Sequence, residues 1–253
     1  MTVTLGVTPD GRWDIDVPKL VAATREAGLS SLGLPLRWFD DATVGTFEGA
    51  GLGCHEMMAL TITDDDERVL RFAARIAEAA AAMQAPWVNT TFTEPLNGRT
   101  APLIERCAAM FAEAGSGMAA EFSPLGAVSS LNGALEIVEV AGRERAGVQI
   151  DTWHFFRGDS TWEQLERLPL DRIAFIQFSD APPPISDDGM DETTNRRTLP
   201  GDGTFELERF ASTLLGRGFE GLVSAEILSA ELRELPVTAV LESIHRAMTR
   251  YWS

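Results

Sequence analysis

Glu121, Asp151, Gln177 and Glu226 each stand near the C-terminal edge of a short apolar run: MAAEFS, VQIDTW, IAFIQFS and LVSAEIL. A carboxylate or amide inside a buried strand costs on the order of a few kcal/mol unless it finds a partner. Four such strands point to one shared partner, and a hard divalent cation is the simplest. Three carboxylates and one amide oxygen make an all-oxygen donor set. Such a set favours Mn2+ or Mg2+ over the Cys- and His-rich sites of zinc. Without a cation, three carboxylates this close would repel one another. The competing reading is local: each acidic group caps a helix or pairs with a nearby arginine, such as Arg157 or Arg197.

The spacings say which elements must hold these groups. Glu121 to Asp151 is 30 residues, Asp151 to Gln177 is 26, and Gln177 to Glu226 is 49. The first two each equal about one strand-helix unit, and the third equals one unit plus a long loop. Strand-like runs fall at 2–7, 29–36, 52–61, 87–92, 118–122, 148–153, 173–178 and 222–228. Helical patterns lie between them at 17–27, from the Asp64-Asp65-Asp66 run to about 83, then at 101–114, 131–141, 162–168, 205–216 and 237–251. Acidic residues suit a helix start, and Gly28 and Gly115 suit helix ends. Eight strands alternating with about eight helices predict an α/β fold with a parallel sheet, and eight units predict a closed, eight-stranded (β/α)8 TIM barrel. In that fold the quartet occupies consecutive strands five to eight, whose neighbours lie about 4.8 Å apart.

No linker or low-complexity tract divides the 253 residues, so the reading is one barrel domain over 1–253. Residues 181–203, APPPISDDGMDETTNRRTLPGDG, break the rhythm. This connection is too long for a simple turn and leaves the C-terminal end of strand seven, where barrels keep their active sites. It is expected to be an ordered active-site lid.

Composition narrows the partners. A net charge of −17 argues against nucleic acid and anionic membrane, which need a basic face. No run approaches the roughly 18 apolar residues of a membrane span, and MTVTLGVTPDG lacks the pattern of a secretory signal. Cys54 and Cys107 form no CxxC motif and are expected to be reduced residues of a cytoplasmic protein. Lys19, the single lysine, opens a helical pattern and is no Schiff-base candidate. No G-x-G-x-x-G or P-loop appears, so no nucleotide cofactor is expected.

The stretches Glu121-Phe-Ser, Asp151-Thr-Trp-His154, Ile176-Gln177-Phe-Ser-Asp180, Arg197-Thr-Leu-Pro-Gly-Asp-Gly203 and Ser224-Ala-Glu226 resemble the xylose isomerase-like TIM barrels, the sugar phosphate isomerase/epimerase family. The resemblance covers the whole chain, with its sharpest motifs in the C-terminal half. It implies one divalent metal held by Glu121, Asp151, Gln177 and Glu226 over a small polyhydroxylated substrate. It implies that His154 contacts substrate. Two positions depart from the usual pattern. Gln177 stands where a His is more common, and similar relatives with dehydratase activity toward 3-dehydroshikimate use Gln there. Strand two ends LGLPLRW, where many members carry an acidic residue.

The chemistry implied is proton transfer next to a carbonyl through an enolate or enediolate, with Glu121 and Glu226 as the acid/base pair. If His154 delivers a proton to a departing hydroxyl, the same chemistry yields a lyase. The reading is thus an isomerase or epimerase of a ketose, cyclitol or sugar acid, with a dehydratase as the alternative. A non-catalytic metal- or sugar-binding subunit is a third class. A metal-dependent nuclease would need more histidines and a basic groove than three His and a charge of −17 provide. Arg197 is a candidate clamp for an anionic or hydroxyl group of the substrate. The alternative is that Arg196 and Arg197 pair with Asp187, Asp188, Asp191 or Glu192. Trp153, and with it Trp38, is a candidate apolar wall of the substrate pocket or simple packing. His55 reads as core or rim structure, and His245 as structural or exposed. Oligomeric state is open, although many members of the family are dimers or tetramers.

Overall fold

The computed structural model describes residues 3–252. Eight strands are hydrogen-bonded in sequence order, from β1 through β8, as a closed barrel. They are β1 Thr4–Thr8, β2 Ser31–Pro35, β3 Gly53–Ile62, β4 Trp87–Phe92, β5 Gly117–Glu121, β6 Ala146–Asp151, β7 Ile173–Gln177 and β8 Leu222–Glu226. The (β/α)8 expectation is met, with parallel pairing wherever the register is defined. The first strand was expected to start at Thr2, which lies outside the described residues.

By its contacts the chain falls into two compact units. One comprises the described parts of Met1–Leu32 and Ile176–Ser253, with Asp41–Gly53. Its strands β1 and β8 pair over their full length, Thr4 against Leu222 through Thr8 against Glu226. Helices α1 (Val17–Glu26), α2 (Asp41–Ala50), α9 (Leu207–Gly216) and α11 (Val237–Trp252) belong to it. Along α11, Val240, Leu241, Ile244, Ala247 and Met248 recur at helical spacing, and all are buried. Each large apolar side chain so buried contributes roughly 1.5–3 kcal/mol.

The other unit comprises Gly33–Asp40 and Cys54–Phe175. It holds β3 to β6 and the helices α3 (Asp66–Met83), α4 (Thr100–Glu113), α5 (Leu131–Ala141), α6 (Thr152–Arg157) and α7 (Trp162–Arg167). All six residues of β6 are buried, as expected of a strand covered on both faces. The face of α3 that turns inward is mostly alanine, Ala73, Ala77 and Ala80 with Val69 and Ile76, so that helix can pack close.

Four helices escaped the sequence reading. In α2 the Gly45 and Gly49 interruptions hide the helical pattern, because glycine weakens helices. Helix α6 was read as the end of strand six, which was expected to run to Trp153. The strand instead stops at Asp151, whose carboxylate accepts from the backbone N–H groups of Trp153 and His154 and starts a helix there. The other two are α8 (Gly189–Asn195), inside the long loop, and α10 (Ala230–Arg233) after β8. Among the described residues no helix is long and apolar enough to cross a membrane.

The 181–203 loop is built, not loose. Asp188 caps α8, accepting from the N–H groups of Met190 and Asp191. Buried Asp180 accepts from the N–H groups of Ala181, Gly201 and Phe205, folding the Thr-Leu-Pro-Gly-Asp-Gly stretch around one carboxylate. A Cβ at Gly203 would collide with that carboxylate, which is why glycine stands there. Two antiparallel bridges, Asp180 to Thr198 and Arg196 to Ser229, tie both ends down.

Candidate metal and proton-transfer site

The four residues of the quartet are the last residues of β5, β6, β7 and β8. The C-terminal rim of a barrel is where strand ends leave side chains free to do chemistry.

In the unit of β3 to β6, three groups converge. His154 Nε2 lies 3.5 Å from Glu121 Oε1 and 4.0 Å from Asp151 Oδ2. One ligand atom from each of the three falls within 4.8 Å of the others. Donors bound to one ion at about 2.1 Å lie about 3–4.2 Å apart, so this spacing fits a divalent cation with slight contraction. Asp151 is fully buried, while Glu121 and His154 are nearly so.

Each carboxylate presents one oxygen because its other oxygen is already held. Asp151 Oδ1 accepts from Trp153 N at 2.6 Å and from His154 N at 3.3 Å, and Oδ2 lies 4.0 Å from His154 Nε2. Glu121 Oε2 accepts from Asn89 Nδ2 at 2.8 Å, leaving Oε1 turned to His154. The capping role expected as an alternative for the acidic groups is therefore real at Asp151, but it engages Oδ1 and points Oδ2 into the cluster.

His154 sits on α6, one turn beyond Asp151, with Trp153 edge-on to its ring at 5.3 Å. Trp153 is itself buried. His154 Nδ1 has no hydrogen-bond partner among the described residues. The imidazole stands within reach of both carboxylates, where it can pass a proton. His55, on β3, is buried with Nε2 3.4 Å from Glu56 Oε1 and its ring edge-on to Phe175, in keeping with a structural role.

In the unit of β1 and β8, Gln177 Nε2 donates to Thr8 Oγ1 at 3.4 Å, and Thr8 Oγ1 is 2.8 Å from Ser224 Oγ. Glu226 Oε2 accepts from Arg197 Nη1 at 3.1 Å. Arg197 is 2% exposed, and its Nε and Nη2 donate to the carbonyl and hydroxyl of Thr193 on α8. The arginine expected to clamp substrate thus holds Glu226, and α8 fixes its position through Thr193. Arg196, by contrast, pairs with Glu192 at 3.1 Å, as its acidic neighbourhood had suggested.

Asn89 and Gln149 were missed by the sequence reading. Both are buried amides on strands, the same signal that drew attention to Gln177. They lie inside the apolar runs of β4 and β6 and not at their ends, which is why they escaped notice.

The family described as xylose isomerase-like TIM barrel matches residues 9–248. An inosose isomerase of Halalkalibacterium halodurans is 29% identical over 117 residues, 46% of this chain and 40% of that protein. A 3-dehydroshikimate dehydratase of Pseudomonas aeruginosa is 28% identical over 112 residues, 44% of this chain and 18% of that protein. The matched segment thus spans less than half the length of either curated relative. Among solved structures, the IOLI protein with a bound zinc atom superposes with a TM-score of 0.87 at 17% identity, covering 99% of this chain and 100% of that one. An L-ribulose 3-epimerase superposes with a TM-score of 0.79 at 13% identity, covering 99% and 95%. At these identities the structural likeness is one of fold.

Proposed function

Because the chain belongs to the xylose isomerase-like TIM barrel family, we propose that it is a divalent-metal-dependent enzyme that isomerises or epimerises a small polyhydroxylated ketone. The observation that carries this reading is the convergence of Glu121 Oε1, Asp151 Oδ2 and His154 Nε2, with the second oxygen of each carboxylate fixed by the protein. Two buried carboxylates aimed at one point repel unless a cation joins them. The names of the relatives, an inosose isomerase and a ribulose epimerase, support a cyclic or open-chain ketose as substrate.

In this proposal Gln177 and Glu226 complete the ligand set, as the family motif implies. When bound, the ion polarises the substrate carbonyl and makes the neighbouring C–H more acidic. Mn2+ or Mg2+ suits this oxygen-rich donor set. Glu121 and Glu226 exchange the proton at the carbon beside the carbonyl, one removing it and the other returning it. Arg197 keeps Glu226 in place for that exchange. His154, 3.5 Å from Glu121, carries a proton to or from a substrate oxygen.

A dehydratase is the second reading. It is favoured by Gln177 at the position where the resemblance usually has His, and by the match to a 3-dehydroshikimate dehydratase. There His154 would protonate a departing hydroxyl.

Elemental analysis of the purified protein should find close to one divalent ion per chain, and protein able to bind none would sink the metal reading. Incubation with inososes, ketoses and dehydroshikimate in deuterated water should then show exchange at a carbon next to a carbonyl. Glu226→Gln should abolish that exchange while substrate still binds. Binding with no exchange across the panel in the wild type would turn the conclusion toward a non-catalytic binding subunit.

A further inference from the structure

Asn89 on β4 and Gln149 on β6 flank Glu121, the last residue of β5. The register sets Gln149 directly beside Glu121 and Asn89 beside Ala119, two residues earlier on the same side of the strand. Asn89 is 4% exposed and Gln149 is fully buried. Asn89 Nδ2 donates to Glu121 Oε2 at 2.8 Å and to Gln149 Oε1 at 2.8 Å.

The direction of this chain follows from what each group can do. An ionised carboxylate only accepts, so Asn89 must turn its NH2 end toward Glu121. The second hydrogen of that NH2 then needs an acceptor, and Gln149 supplies one only if its oxygen faces Asn89. Both amide orientations are therefore set by Glu121. Two buried amides are an expensive way to fill a barrel interior that Val, Ile and Leu fill elsewhere.

We propose that Asn89, oriented by Gln149, is the positioning residue that fixes the carboxylate of Glu121 and reserves Oε1 for the cation. The inference rests on the metal reading given above. Asn89 neither touches substrate nor ligates the ion; it removes the rotational freedom of Glu121 and occupies the oxygen that would otherwise compete for other partners. Gln149 acts only through Asn89.

Calorimetric titration of the metal-stripped full chain with Mn2+ tests this, using Asn89→Leu, Gln149→Leu and the double variant, each checked for a native circular dichroism spectrum. Loss of an outer partner of a metal ligand typically weakens binding about 10–100-fold. Asn89→Leu should fall in that range and Gln149→Leu should lose less. The double variant should bind no more weakly than Asn89→Leu alone, because the two residues form one relay. If Asn89→Leu does not fold, the test passes to Gln149→Leu, where a loss of at least about fivefold supports the proposal. Wild-type affinity in a folded single variant overturns it, as do fully additive losses in the double. A wild type that binds no Mn2+ is the distinct outcome that sinks the metal reading itself.

Discussion

Asp151 performs two tasks with two oxygens. Oδ1 starts α6, and Oδ2 faces His154. The tasks are separable, because an amide keeps a capping acceptor and loses the charge. Asp151→Asn should therefore leave the melting temperature of the metal-free protein almost unchanged while lowering Mn2+ affinity by an order of magnitude or more. Asp151→Ala should cost about 1 kcal/mol of stability besides, from the lost cap. Equal affinity in Asp151→Asn and wild type would exclude Oδ2 as a ligand. His154 makes the opposite kind of prediction. Standing 3.5 Å from Glu121, it is expected to carry protons and not to hold the ion. His154→Asn should cut substrate proton exchange at least about 100-fold, the usual scale of a general acid or base, with little change in Mn2+ affinity. A large loss of affinity would instead make it a ligand.

At the scale of elements, the long loop is latched to the end of β1. Buried Asp10 accepts from Arg12 Nε at 2.9 Å and from Arg233 Nη1 at 2.6 Å. The same two guanidinium groups reach the carbonyl of Thr194 and the side chain of Asn195, at the C-terminal end of α8. Burial alone would raise the Asp10 carboxyl, but the hydrogen bonds from Arg12 and Arg233 outweigh it and hold the group below its ordinary value of 3.8. A carboxyl lowered by folding stabilises the folded state above its unfolded value, and that contribution disappears as pH falls through the lower folded value. The latch should thus hold throughout neutral pH and weaken only in acid below 3.8. In Asp10→Asn, hydrogen exchange across α8 should be faster at neutral pH by roughly tenfold or more, the scale of one charged hydrogen bond. It should also lose its acid dependence in that range. Unchanged protection would show that Asp180 and the two bridges hold the loop without help.

For the molecule as a whole, the two thiols report on folding. Cys54 and Cys107 are free and buried. Burial pushes the Cys107 thiol up to about 12, and Cys54 still higher. Since the thiolate is the reacting form, the native protein at pH 8 should react with a thiol reagent only as fast as it unfolds, and two equivalents should appear in guanidinium. Rapid labelling of either cysteine in the native state would contradict the packing around α4 or the start of β3.

The strand-helix alternation was legible because buried strands and amphipathic helices write their periods directly into the chain, and seven of the helices lie within two residues of their expected bounds. So were the quartet residues, whose polarity stood out at the ends of apolar runs. Strand ends were misplaced at Asp151 because a cap is made by a side chain meeting backbone N–H groups, which an apolar pattern does not record. Asn89 and Gln149 were invisible for a related reason: a buried amide is intelligible only with its partner in view, and those partners lie 32 and 60 residues away from Asn89. The sequence by itself determined the fold class and which groups carry charge and donors. Only the tertiary structure decided which donors hold Glu121, because its bond from Asn89 joins side chains 32 residues apart on neighbouring strands.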